Sequence, residues 1–508
     1  MKHLAYFVGL FLFLNACTGQ KPTPDKTYFS FHLFSEPLHL DPARSRASSA
    51  SYFFLNTLRG LYIYDDEKGL ISEGGRCRWQ GSLRLHCSIL PSHLWSNGQR
   101  VTAEDYRRAF WHVISPQTAS PRADILQNLK NAQSILNGKQ PASSLGFHIL
   151  NKFEFNLEFT QPEPEFIYKL SSTALFPRPE AQPSDKESYK NFLSCGPYQI
   201  EDWKMGSELR LKPNPYYKKG SKNRPPVKVY FIDDEMTAFR LYENGRLSFL
   251  RRIPANLAAS LEGRKDLFKI IMARYDYIGF GKKVMQNSNL RKALVHSIDY
   301  EKLKKLLRAT GRPGCPSLPK KWLLTPPCYN FDLDLAKEAL SKVPEKLKNE
   351  VFQLKVSQLG GNDIKNQAEF FQNQWTQHLG LNIEVAQVEQ GTYLNELKQN
   401  PPDIFRKGVG LDRPTCTSAL ETFSEESHQN FIGLKDPDYQ KLVEALSREE
   451  NRQKRRSLCQ KGVDFVMTRE LVIPLGEMHF TIMANPDFVG WKLNSMNQLD
   501  LAKLHPAR

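Results

Sequence analysis

A chain of 508 residues is too long for one hydrophobic core and implies two to four folding units. Its balance of 40% hydrophobic and 24% charged residues is globular, and the formal charge of +16 raises a nucleic-acid or membrane-surface reading. Nucleic acid is excluded as a partner, because the densest basic clusters, Lys302 to Arg308 and Arg452 to Arg456, have helical spacing and read as solvated faces, with no zinc-ligand array or RNP-like motif beside them.

The chain opens with a short positive segment, Met1-Lys2-His3, and an apolar run from Leu4 to Leu14. Eleven apolar residues cannot cross a hydrocarbon layer about 30 Å thick, so the run reads as the core of a secretion signal over residues 1–16. Leu14-Asn15-Ala16-Cys17 resembles a bacterial lipobox, which implies an acylated Cys17 as the mature first residue and a membrane held through its lipid. Residues 17–26, rich in Pro, Lys and Thr, read as a flexible tether.

From Tyr28 to Leu33 the pattern is strand-like, and a Ser-rich segment from Ala43 to Ser51 leads into an apolar helix predicted over Tyr52 to Leu61. Cys77 and Cys87 flank Gln80-Gly81-Ser82 as in a hairpin, and export permits a disulfide between them. Further on, Trp95 to Tyr106 is a turn entering a helix capped at Thr102, with Asp105 in capping-box position. Cys315 and Cys328 close a Pro-rich loop as a second candidate disulfide, which leaves Cys195, Cys416 and Cys459 as small buried residues. The stretch Pro402 to Phe423 places Asp412 after Gly408 and Gly410, with Arg406 and Lys407 on the same segment. Glycines in an apolar, strand-like run mark close approach of a ligand or another backbone. An acid there either caps a turn or receives a ligand ammonium while a neighbouring cation receives a carboxylate. No G-x-S-x-G, HExxH or P-loop lysine is present and no CxxC occurs, so no enzyme, metal or cofactor is expected.

The run Trp95-Ser96-Asn97-Gly98-Gln99-Arg100-Val101-Thr102-Ala103-Glu104-Asp105-Tyr106, with Pro37-Leu38-His39-Leu40-Asp41-Pro42 before it, resembles the extracytoplasmic solute-binding proteins of family 5, the peptide-binding lipoproteins of ABC importers. The likeness continues through Cys195-Gly196-Pro197-Tyr198, Asn214-Pro215-Tyr216-Tyr217, Leu290-Arg291-Lys292-Ala293-Leu294, Trp375 to Asn382 and Ile473-Pro474-Leu475. It implies a mixed α/β fold of the periplasmic binding protein-like class II (cluster C), in three lobes with a ligand cleft between lobes I and III. Lobe I would comprise about residues 26–58, 178–273 and 478–508, lobe II about 59–177, and lobe III about 274–477. The implied function is binding of oligopeptides outside the cytoplasm, in the periplasm or cell envelope, and delivery to the transmembrane subunits of an ABC permease by a monomeric protein.

By the same resemblance Asp412 anchors the ligand's α-ammonium, Arg406 either reaches its carboxylate or is taken up in an internal salt bridge, and Gly408, Val409 and Gly410 run beside an extended peptide held by backbone hydrogen bonds. Arg46 and Ser48 fall where the family touches ligand with an acid and an apolar residue, and Arg122 falls on a tyrosine position. Facing inward, Arg46 and Arg122 would point to an acidic cargo, a cell-wall peptide among the candidates; the alternative is that both face solvent at the mouth of the cleft. The family's pattern also fails at Val409 for a tryptophan, Arg413 for an aromatic, Gly410 for a cysteine and Ile364 for a histidine, which leaves ligand length open. A sensor of murein peptides, or the same fold carrying nickel, haem or another solute, is the alternative.

Overall fold

The computed structural model describes residues 27–45, 50–254, 257–258, 260–307, 311–316, 318 and 322–507. Arg46, Ser48 and Cys17 lie outside them.

The strand Phe29–Leu33 is buried at every position and lies inside a seven-stranded sheet, parallel to Val227–Phe231 on one side and Phe249–Leu250 on the other. A strand covered on both faces needs the unbroken apolar run that FSFHL supplies, apart from the imidazole of His32. The sheet continues through Glu208–Pro213 to Tyr198–Lys204 at one edge and through His479–Ala484 to Leu267–Ile271 at the other. It is therefore assembled from three separated parts of the chain. A four-stranded antiparallel sheet draws only on residues between 75 and 158. A five-stranded sheet draws on Arg274–Phe280, Val351–Ser357, Asn382–Val388, Ile404–Gly410 and Val472–Pro474. The three sheets thus draw on different parts of the chain.

The hydrophobic cores divide differently. One continuous core joins the first two sheets through the buried helix Ala50–Thr57, and a second core fills the third region. Mechanically the molecule is two bodies. They are connected by two chain crossings side by side: Leu267–Ile271 pairs antiparallel with His479–Ala484 in the first body, and Arg274–Phe280 pairs antiparallel with Val472–Pro474 in the second. Between them, Met272 N–H donates to the Met478 carbonyl at 2.9 Å and Leu475 N–H to the Asp276 carbonyl at 2.8 Å. Two short crossings side by side, running in opposite directions, are the geometry of a hinge.

Several local readings change. The first helix runs Ala50–Thr57 and stops short of Leu61, because the chain must pass Gly60 against Phe176, whose ring a Cβ would strike. Thr102 and Asp105 do form a reciprocal capping box on the helix Ala103–Ile114. Disulfides join Cys77 to Cys87 and Cys315 to Cys328. Cys416 and Cys459, read from sequence as separate buried residues, form a third, which corrects that reading; Cys195 is the free, buried thiol among the described residues. Both belong to helices, Cys416–Glu421 and Arg452–Thr468, that pack together, a proximity that sequence spacing does not reveal. Arg455 departs from the solvated-face reading of its basic run, since its side chain turns inward to Glu165. No described helix is long and apolar enough to cross a membrane.

Candidate ligand-binding cleft

The two bodies enclose a cavity of about 320 Å³. Its wall on the first body includes Arg122, Phe480 and Asn497, and its wall on the second includes Arg274, Gly410 and Asp412.

Asp412 follows the strand Ile404–Gly410 and precedes the helix Cys416–Glu421. Thr415 caps that helix by accepting from Ser418 N–H, which fixes Ser418 in the first turn, and the Ser418 hydroxyl donates to Asp412 Oδ1 at 2.5 Å. Arg413 Nη1 lies 3.0 and 2.9 Å from the two Asp412 oxygens. The acid keeps 31% of its side chain exposed while its arginine keeps only 4%, so the carboxylate faces the cavity and its partner stands behind it. Burial would raise the Asp412 carboxyl; Arg413, Lys169, Ser418 and Arg122 outweigh it and pull the pKa down to about 2.

Arg413 serves three carboxylates. Besides Asp412 it bonds Glu421 at 2.6 Å and Glu165 at 2.8 Å. Glu165 comes from the first body and is 6% exposed; it also accepts from Thr415 at 2.8 Å, Thr417 at 3.1 Å and Arg455, all of the second body. A single acid from one side of the cleft is thus satisfied wholly by the other side.

The other expected residues divide. Gly410 lines the cavity, and a Cβ there would meet nothing within 4 Å. Val409 is 4% exposed and points into the second core, which removes its side chain from the cleft. Gly408 has its space taken by a side chain of this chain: a Cβ would collide with Arg274 Nη2 and Asp276 Oδ1. Arg406 does not line the cavity. Its guanidinium bonds Asp276 at 3.2 Å and Gln367 at 2.9 Å, an internal pairing that the sequence reading ranked against ligand contact. Arg122 does line it, and its guanidinium makes no hydrogen bond or ion pair among the described residues.

Arg274 and Glu165 were missed. The signal for Arg274 was present in outline: Arg274 and Asp276 stand two apart on an otherwise apolar strand, and the register sets them opposite Gly410 and Gly408. Same-face charges facing same-face glycines mark a charged pair laid across a bare strand. Glu165 had no such signal, because its partners lie some 250 residues away.

The strand Ile404–Gly410 is paired along its whole length with Arg274–Phe280, whereas on its other edge only Ile404 and Phe405 pair with a strand. Its last residues therefore offer an edge with no strand beside it among the described residues.

The sequence profile of the bacterial extracellular solute-binding proteins, family 5 Middle, matches residues 86–431. The periplasmic oligopeptide-binding protein OppA of Salmonella typhimurium is 26% identical over 443 residues, covering 80% of this chain and 79% of its own. The probable deoxycholate-binding periplasmic protein YgiS of Escherichia coli is 22% identical over 505 residues, covering 93% and 92%. Among solved structures, the Haemophilus influenzae OppA complex with the peptide RPPGFSPFR superposes with a TM-score of 0.76 at 20% identity, covering 95% of this chain and 99% of that one. The Escherichia coli murein tripeptide binding protein MppA superposes with a TM-score of 0.77 at 19% identity, covering 95% and 98%. These likenesses show the fold: the mixed α/β, periplasmic binding protein-like class II.

Proposed function

The chain belongs to the bacterial extracellular solute-binding proteins of family 5, and from that premise we propose that it binds oligopeptides outside the cytoplasm and delivers them to an ABC-type permease, acting as a carrier and not an enzyme. The observation that supports this most is the pairing, in one cavity, of an ionised Asp412 with Gly410, the end of a strand edge that has no strand beside it among the described residues. An extended peptide adds to such an edge through its main chain, gaining affinity with little dependence on sequence. Its terminal ammonium meets the Asp412 carboxylate, where the charge-assisted hydrogen bond is shorter and stronger than a neutral one. The same reading makes Cys17 the acylated anchor and the protein a monomer at the membrane surface.

The test is to purify the protein natively, release its ligand and identify the cargo by mass spectrometry, then titrate short peptides calorimetrically. Peptides are expected in the released fraction. Acetylating the amino terminus of such a peptide should weaken binding about tenfold or more. A released fraction without peptides, together with equal affinity for free and acetylated amino termini, would defeat the proposal.

A further inference from the structure

The family resemblance implies Arg406 as partner of the cargo's carboxylate, but that guanidinium is bonded to Asp276 and Gln367. Arg274 stands at the cavity surface instead. Its Nε and Nη2 both bond Asp276, the latter at 2.9 Å, and 27% of its side chain stays exposed. Its Nη1 makes no hydrogen bond among the described residues. Gly408 is what permits the pose, since any Cβ there would evict the guanidinium. Next to it on the same face Gly410 leaves open space.

The charges around this guanidinium do not cancel. Asp276 is fully buried and faces both Arg274 and Arg406, so one negative charge answers two positive ones. Lys407 adds a third cation; burial and then the field of Arg274 bring its amine down to about 8. Across the cavity Arg122, which has no ion pair among the described residues, adds a further cation, while Asp412 already has Arg413. A guanidinium held rigid by a buried acid, with one edge turned to the cavity, is preorganised for a carboxylate.

We propose that Arg274 is the cargo's carboxylate-binding residue, so that the protein selects short peptides bearing a carboxylate within the same cavity that takes their ammonium at Asp412. The proposal deepens the peptide-binding reading and rests on it for the ammonium, while the carboxylate site is testable alone. A cavity of about 320 Å³ is at the small end of the roughly 300–1,000 Å³ range of ligand pockets, which favours short cargo. The carboxylate is either the peptide's C-terminus or an acidic side chain.

The probes are trialanine, trialanine amide, Ala-Glu-Ala amide and succinate, titrated calorimetrically into the wild-type protein and into R274Q, R274K and R122Q. The wild type should bind trialanine about tenfold or more tightly than its amide, the scale of a hydrogen bond to a charged group. If the side chain is the source, Ala-Glu-Ala amide regains the affinity; if the C-terminus is, it does not. In R274Q the advantage should fall to about unity and succinate binding should vanish, while R274K, which keeps charge without the fork, retains part of both. Equal affinity of the wild type for every peptide overturns the carboxylate site and leaves peptide binding standing. A preference that survives in R274Q but is lost in R122Q also overturns it. Arg274-dependent succinate binding with no peptide bound keeps the site and removes the peptide reading, and binding of neither removes both.

Discussion

Asp412 is held in its charged form by neighbours that also compete for it. Arg413 and Ser418 occupy part of its hydrogen-bonding capacity, yet the face left to the cavity retains an ionised carboxylate. Its folded pKa of about 2 lies below the value near 3.9 of an unfolded aspartate. A depressed carboxyl stabilises the folded state above the unfolded pKa and loses that contribution as pH falls through the folded one. The window for Asp412 is therefore about pH 4 down to 2. Peptide affinity measured between pH 7 and 5 should not change through this group, and D412N should lower affinity by a similar factor, about ten to a hundred, across that range. An affinity that declines steeply on acidification in the wild type but not in D412N would contradict this. Asp412 stands out in the sequence because Gly408 and Gly410 precede it on an apolar, strand-like run, whereas the helix capped at Thr415 that fixes Ser418 beside it emerges only from the structure. Arg406 was legible as a cation and misplaced as to partner, since only the register of Arg274–Phe280 against Ile404–Gly410 reveals that Asp276 lies within its reach.

The short helix Cys416–Glu421 fixes more of the site than its length suggests. Its cap residue Thr415, its first-turn Thr417 and Ser418, and Glu421 at its end contact Glu165, Asp412 and Arg413. An isolated helix of six residues is unstable in water, because nucleation costs more than so few hydrogen bonds return. Packing on the helices Pro437–Arg448 and Arg452–Thr468 and the Cys416–Cys459 disulfide hold it in place. The loop closed by that disulfide is 43 residues, and removing such a bond costs about 2–4 kcal/mol. C416A/C459A is expected to unfold at lower urea concentration and to weaken peptide binding beyond the stability loss, as Ser418 loses its fixed position. A variant that loses stability with unaltered affinity would show that the helix is held by packing alone. Local patterns here identified elements better than connections. The capping box at Thr102 was readable because its two partners are three residues apart, while Cys416 and Cys459 pair through a helix packing that no spacing rule encodes.

At the scale of the whole molecule, three sheets move as two bodies, because the first two share one core. With hinge-like crossings at Met272–Ala273 and Leu475–Met478, the contacts that bond the bodies across the cavity are expected to set the equilibrium between open and closed forms. Glu165 dominates that set: all partners of its carboxylate among the described residues, Arg413, Arg455, Thr415 and Thr417, belong to the opposite body, and that carboxylate is almost wholly buried against them. Opening the cleft must break these contacts together, exposing the Glu165 carboxylate and leaving Arg413 with only Asp412 and Glu421. Breaking one side of a buried ion pair costs about 3–5 kcal/mol, enough to shift a two-state population by a factor of roughly a hundred or more. E165Q is therefore expected to populate the open form without ligand, seen as a larger radius of gyration in solution scattering and a longer distance between spin labels placed one on each body. Because closure is common to all cargo, E165Q should weaken every peptide by a similar factor, whereas R274Q should weaken only those that carry the carboxylate. An E165Q protein as compact as the wild type, with unchanged label distances, would mean that the walls of the cleft are held together by other contacts.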